Sequence, residues 1–209
     1  MRSTSAFLLL LLALPAFPVT AQTLAAASPA TPADAKAAGV FIDDLAARAF
    51  AVLRETGSRT AVRAKFRTML RDNFAVEDAG NRLIRRYRSQ ITPAQLAAYQ
   101  DVLPVYIVNL YADRLYDYAN ATVKIVRTVP HGSNNVVDVY SRIETPGRQP
   151  FDVIWAIQKT GPKFLISNVT VSGVNLALTQ EADFSSYIAK NGFDALVTFM
   201  KTANARPAA

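Results

Sequence analysis

The sequence predicts an α+β domain, with helices packed on one face of a curved, mainly antiparallel four-stranded sheet. Three observations point there. Apolar residues recur at helical spacing from Ala37 to about Tyr118. The pattern then changes to period two in four segments joined by short, turn-rich connections. Helical spacing returns from Asp183 to Lys201. Helices, a meander and a closing helix together describe an α+β arrangement.

Each element has its own signal. In Ala37 to Thr56, residues Val40, Phe41, Leu45, Ala49, Val52 and Leu53 form one apolar face, and Gly57 ends the run. Ser58 can cap a second helix through Val62, Phe66, Met69 and Leu70. A third is expected over Val76 to Ser89, with Leu83, Ile84 and Tyr87 inward. Thr92-Pro93-Ala94-Gln95 is a strong helix start, combining an N-cap, a proline at the first turn and a capping-box partner. This helix should reach about Tyr118, with a kink or break at Pro104. The strands are expected at Ala121–Val129, Val136–Glu144, Phe151–Lys159 and Phe164–Val174. Their short connections favour antiparallel neighbours. Asn191-Gly192 should divide the last helical segment in two.

Composition bounds what such a domain can do. The 209 residues are 51% apolar and 19% charged, too apolar for a wholly disordered chain. No cysteine is present, which excludes disulfides, thiolate metal sites and cysteine nucleophiles. One histidine, His131, is too few for a multi-histidine metal site. Arg2 followed by the apolar run Phe7 to Leu14, with Val19-Thr20-Ala21 behind it, reads as a signal peptide cleaved after Ala21. Residues 1–21 are thus expected to be removed and 22–35 to form a flexible Ala/Pro-rich leader. Residues 36–202 should make one domain and 203–209 a frayed tail. Export without disulfides points to the periplasm.

The inventory offers no catalytic constellation. His131 lies in a turn, Pro130-His131-Gly132-Ser133, where Ser133 is too close in sequence for triad geometry. Asp43-Asp44 and Glu77-Asp78 are adjacent residues, whose side chains diverge on a helix. The glycines are scattered and make no phosphate loop. The reading is therefore a non-enzyme needing no cofactor and no metal. Arg59, Arg63, Arg67 and Arg71 recur every fourth residue, and Arg82, Arg85, Arg86 and Arg88 follow. The formal charge is +7. In an exported protein these arginines are either a solvated helix face or a docking surface for anionic membranes or acidic partners, not nucleic acid. Docking is assigned to Arg59, Arg63, Arg67, Arg71 and Arg85.

The strands are apolar on both faces, as at Val136/Val137, Ile154/Trp155 and Leu165/Ile166. A sheet with one wet face alternates more cleanly. Either both faces are covered by a packed core or one lines a pocket for an apolar ligand, and periodicity does not separate the two.

Several segments together resemble a known family. These are Phe66-Arg-Thr-Met-Leu-Arg-Asp-Asn-Phe74, Tyr87-Arg-Ser-Gln-Ile-Thr-Pro-Ala-Gln95 and Tyr111-Ala-Asp-Arg-Leu-Tyr-Asp-Tyr118. Gly161-Pro-Lys-Phe-Leu-Ile-Ser-Asn-Val-Thr-Val-Ser-Gly-Val-Asn-Leu176 and Asp183-Phe-Ser-Ser-Tyr-Ile-Ala-Lys-Asn-Gly-Phe-Asp-Ala-Leu196 complete the set. In order and spacing, from Val40 to Lys201, the chain resembles the periplasmic phospholipid-binding proteins of the Mla pathway, the MlaC or toluene-tolerance family. It departs from that pattern at Phe164-Leu-Ile, Asn168-Val, Ser172-Gly-Val-Asn175 and Thr179-Gln-Glu-Ala-Asp183.

The resemblance implies an NTF2-like cone enclosing an apolar pocket. It implies a carrier shuttling glycerophospholipid between outer and inner membranes. Its partners would be an outer-membrane lipoprotein complex and an inner-membrane ABC transporter. The alternatives are a carrier for another envelope lipid such as a hopanoid, or a non-catalytic interaction protein. For a carrier, the expected tail contacts are Val105, Tyr106, Val108 and Leu110 on the long helix. On the sheet they are Val139, Val153, Trp155, Ile157, Val169 and Val171.

Overall fold

A computed structural model describes residues 29–131 and 135–206, without the side chains of residues 112 and 113. The expected signal peptide and residues 22–28, the first half of the expected leader, lie outside the described residues. Four helices come first: α1 (Pro32–Arg54), α2 (Arg59–Asn73), α3 (Val76–Leu83) and α4 (Pro93–Leu115). A five-stranded sheet follows: β1 (Thr122–His131), β2 (Val136–Glu144), β3 (Phe151–Thr160), β4 (Lys163–Val171) and β5 (Val174–Asn175). Helices α5 (Leu176–Asn191) and α6 (Phe193–Asn204) close the chain. None of the described helices is long and apolar enough to cross a membrane.

The sheet is an antiparallel meander in the order β1-β2-β3-β4-β5. Four strands were expected, and the described residues form five. The extra strand arises because Ser172 and Gly173 both take positive φ, 49° and 82°, and turn the chain back within two residues. That is the backbone a tight hairpin needs. Val174 and Asn175 then pair with Val171 and Thr170.

Other departures have equally local causes. Helix α1 begins at Pro32, not Ala37, so the end of the expected leader is ordered. Thr31 and Asp34 form a reciprocal capping box there, Pro32 fills the first turn, and Ala35 is buried. The third helix stops at Leu83 and a 3-10 turn, Arg85–Tyr87, replaces its second half. Helix α4 continues through Pro104 to Leu115, with a 3-10 turn at Tyr116–Tyr118. At the C-terminus α6 extends two residues into the expected tail. Asn204 Nδ2 anchors it by donating to the Val102 carbonyl at 3.0 Å. Gly192, at φ 85°, separates α5 from α6 as expected.

Apolar residues gather in separate clusters. One is wholly helical, uniting Leu83, Ile84, Tyr99, Val102, Leu103, Phe184, Ile188, Phe193, Leu196, Val197 and Met200. No strand residue belongs to its buried set. A second packs α1 (Ala35, Ala38, Ile42, Leu45) onto Val137, Val139, Ile157 and Ile166 of the sheet. Gly39 lets α1 come close to β1, since a Cβ there would stand 3.1 Å from Thr128 Cγ2. A third joins Ala121, Ile143 and Val153 at the other end of the same sheet face.

Candidate functional site

Strand register assigns the faces. Val139 pairs with Trp155 and Trp155 with Val169; Ser141 pairs with Val153 and Val153 with Val171. Paired residues share a face, and alternate residues along a strand do too. All six sheet residues expected to touch ligand therefore lie on one face, the one α1 covers. A bulge at β4 between the partners of Ala156 and Ile157 keeps Ile166 and Val169 on that face despite their odd spacing.

The opposite face carries its own polar ladder. Arg142 pairs with Asp152 at 2.9 Å and Lys124 with Glu144 at 2.7 Å. The Arg127 guanidinium lies 3.9 Å above the centre of the Tyr140 ring. Half-buried Ile154 and Leu165 lie on this face and form part of the second apolar stripe in the sequence.

The inner face is unevenly covered. Under α1, Val139 and Ile157 are fully buried. Towards the far end, Val123, Phe151, Trp155, Val169 and Val171 remain half-buried although they point inward, with Phe50 and Tyr118 packed beside them. Trp155 joins both sheet clusters, and its Nε1–H donates to Ser141 Oγ at 2.9 Å. Ser141 Oγ in turn donates to the Val153 carbonyl at 3.2 Å. This buried serine fixes the indole in place. The sequence reading missed it, although one polar residue at an inward position between Val139 and Ile143 is the signal that would have found it. Beside this end, Tyr116 Oη and Thr145 Oγ1 are buried without a hydrogen-bond partner among the described residues.

The α4 residues divide. Tyr106 belongs with the helical cluster, 6.0 Å between ring centroids from both Phe184 and Phe199. Burial pushes its phenol pKa up, assisted by Tyr111 and Asp183. Val108 is buried, while Val105 and Leu110 are half-buried. None of the four joins the clusters on the sheet.

Two open grooves flank α1. One, of about 500 Å³, runs between α1 and β1 past Lys36, Gly39, Val40, Asp43, Ile125, Arg127 and Thr128. The other, of about 470 Å³, lies between α1 and α2 past Val52, Glu55, Lys65 and Met69. Neither is lined by the expected tail contacts.

The basic residues do not form one stripe. Arg63 is only 8% exposed, so it is not part of the solvent face expected from its spacing. Arg67 and Arg71 are exposed, and Arg71 pairs with Asp72 at 3.0 Å. Arg59 sits 4.8 Å from the Tyr116 ring centroid. Arg85 Nε reaches Glu181 at 2.8 Å, a partner 96 residues away that no local pattern could reveal. His131 ends β1, its Nδ1 2.8 Å from Asp138 on the neighbouring strand. Among the described residues no three acidic or histidine side chains converge as a metal site would require.

An antiparallel meander with helices banked on one apolar, partly open face defines the class of α+β domains with an open sheet. Within that class the chain belongs to the MlaC protein family, whose model matches residues 43–202. The fold is similar to that of a phospholipid-binding protein from Ralstonia solanacearum, solved in complex with a phospholipid. The two align with a TM-score of 0.69 at 21% identity, over 80% of this chain and 97% of the other.

Proposed function

We propose that this protein is a periplasmic lipid carrier that holds the acyl chains of a glycerophospholipid against the inner sheet face. The observation that carries this reading is the row Trp155, Val169 and Val171, apolar, inward-pointing and still half-open. Exposing one ~16-carbon chain to water costs on the order of 10 kcal/mol, at about 0.8 kcal/mol per CH₂. A carrier must therefore cover the tail and leave the headgroup wet. No nucleophile is needed for that task. Membership of the MlaC family and the phospholipid in the Ralstonia protein support the reading.

In the same proposal the protein travels between outer and inner membranes. It exchanges lipid with an outer-membrane lipoprotein complex and an inner-membrane ABC transporter. A bound lipid would slide between the half-open end of the sheet and Phe50 and Tyr118. Val105 and Leu110, half-buried and outside every cluster, remain the α4 residues suited to tail contact.

The test is extraction and mass spectrometry of lipid from purified protein, beside Val169→Arg. Val153 is less suited to this purpose, because it is fully buried and an arginine there would disturb folding. Wild-type protein should release glycerophospholipid in near-stoichiometric amount, and folded Val169→Arg should release almost none. Wild-type protein free of lipid, or a variant carrying a full load, overturns the assignment.

A further inference from the structure

The turn from β5 into α5 brings exposed apolar side chains next to anchored cations. Val174 and Leu178 are 53% and 60% exposed. Asn175 caps the helix, its side chain accepting from the Leu178 N–H at 3.0 Å, so β5 and the first turn of α5 are fixed to each other. Three residues on, Glu181 is nearly buried and receives Arg85 Nε at 2.8 Å and Arg86 Nε at 3.8 Å. Four residues further, the Ser185 carbonyl accepts from the Tyr87 hydroxyl at 3.0 Å. Leu178, Glu181 and Ser185 form one row along α5. The 3-10 turn Arg85–Tyr87 is laid along it.

This arrangement holds cations in place without burying them. The side chains of Arg85 and Arg86 stay 63% and 70% exposed. One carboxylate against two guanidiniums leaves net positive charge, and exposed Arg82 and Arg88 flank the turn. Glu77 and Asp78 lie in the first turn of α3, at the other end of that helix from Arg82. Asp183, on another side of α5, acts on Tyr106 and Tyr111. Fixed cations beside two exposed apolar side chains match an anionic lipid surface. The cations meet phosphates and the apolar pair enters the interfacial layer.

We propose that Val174, Leu178, Arg85, Arg86 and Arg88 form the face on which the protein rests on an anionic phospholipid bilayer. This refines the docking role expected for Arg59, Arg63, Arg67, Arg71 and Arg85, keeping Arg85 and setting the four α2 arginines aside. It rests on the carrier reading only for its purpose, since docking and lipid load are measured separately.

The experiment is co-sedimentation with phosphatidylglycerol/phosphatidylcholine vesicles and with phosphatidylcholine vesicles, at low and high ionic strength. Wild-type protein should bind the mixed vesicles and be released by salt. Val174→Ser/Leu178→Asp should lose about tenfold or more in partitioning, because both residues are exposed and their change spares the fold. Arg86→Gln/Arg88→Gln, which keeps the Arg85–Glu181 pair, should lose as much. Arg67→Gln/Arg71→Gln should lose clearly less. Circular dichroism and extracted lipid should be unchanged in all three. Wild-type protein left in the supernatant overturns the proposal. Undiminished binding by the first two variants, or an equal loss in the α2 control, also overturns it. Lipid-free protein that still binds vesicles would defeat the carrier reading and leave the docking face standing.

Discussion

The helical core around Tyr99 and the row Trp155, Val169 and Val171 on the inner sheet face bury their apolar residues to different depths. In the helical half, Tyr99, Phe184, Leu196 and Met200 are essentially inaccessible. Tyr99 meets Phe184 edge-on with ring centroids 6.3 Å apart, and Phe193 at 5.9 Å. Its hydroxyl donates to the Gly80 carbonyl at 3.0 Å, and a Cβ on Gly80 would come within 2.6 Å of Leu103. Around Tyr99 the helical side chains are closely packed. On the sheet, residues equally apolar and equally inward stop half-buried. Close packing supplies stability in the first region, whereas in the second part of the apolar surface is withheld from it. In the proposed carrier, this difference separates residues that hold the fold from residues that meet the lipid.

Truncation breaks or sharpens that contrast most directly. Tyr99→Ala should cost about 3–5 kcal/mol, because it empties a closed site and unpairs the Gly80 carbonyl. Val169→Ala removes less, from a position that is already part-exposed, and should cost about 1 kcal/mol. Urea denaturation of both variants gives the comparison. Equal losses would mean that the sheet face is packed as tightly as the helices.

The two regions were also unequally legible from sequence. Helices α2 and α4 and strands β1 to β4 stand close to their expected places, because apolar spacing and caps such as Thr92-Pro93-Ala94-Gln95 are local signals. Inward and outward residues of the sheet were legible for the same reason, and the six residues chosen there share a face. What escaped was non-local. Periodicity places Tyr106 on an apolar face of α4 but does not tell which neighbour that face meets; Phe184 and Phe199 come from far along the chain. Spacing puts Arg63 in line with Arg59 and Arg67, yet the packing around α2 buries it. The start of α1 was misplaced because Ala- and Pro-rich composition reads as a linker. The Thr31–Asp34 capping box outweighs it.

A smaller effect probes the sheet side alone. Trp155 is the only tryptophan, so its fluorescence reports this face without labelling. Ser141→Ala removes the acceptor of its indole N–H and should cost about 1 kcal/mol. The emission should change with it, while the helical cluster is untouched. If lipid lies against this face, extracting it should also move the wild-type emission. An emission blind both to Ser141→Ala and to extraction would place the indole outside the binding surface.

The smallest expected effect concerns how α1 is fastened over the sheet. The two regions differ here as well, since aromatic packing secures the helices, whereas a polar clasp ties α1 to β3. Lys159 Nζ donates to Asp34 Oδ1 at 2.6 Å, and the Thr31 N–H donates to Asp34 Oδ2 at 2.9 Å. Lys159 above all, with Thr31, lowers the Asp34 carboxyl to about 2. An unfolded aspartate titrates near ~3.9. A group whose folded pKa is depressed lends stability above its unfolded value and loses it as the pH falls through the folded one. The clasp should therefore act fully above about pH 4 and fade towards pH 2. Asp34→Asn should lower the urea midpoint slightly at neutral pH, and its gap from wild type should close as the pH falls across that window. A gap that stays constant down to pH 2 would show that the aspartate acts on α1 through its cap geometry and not through its charge.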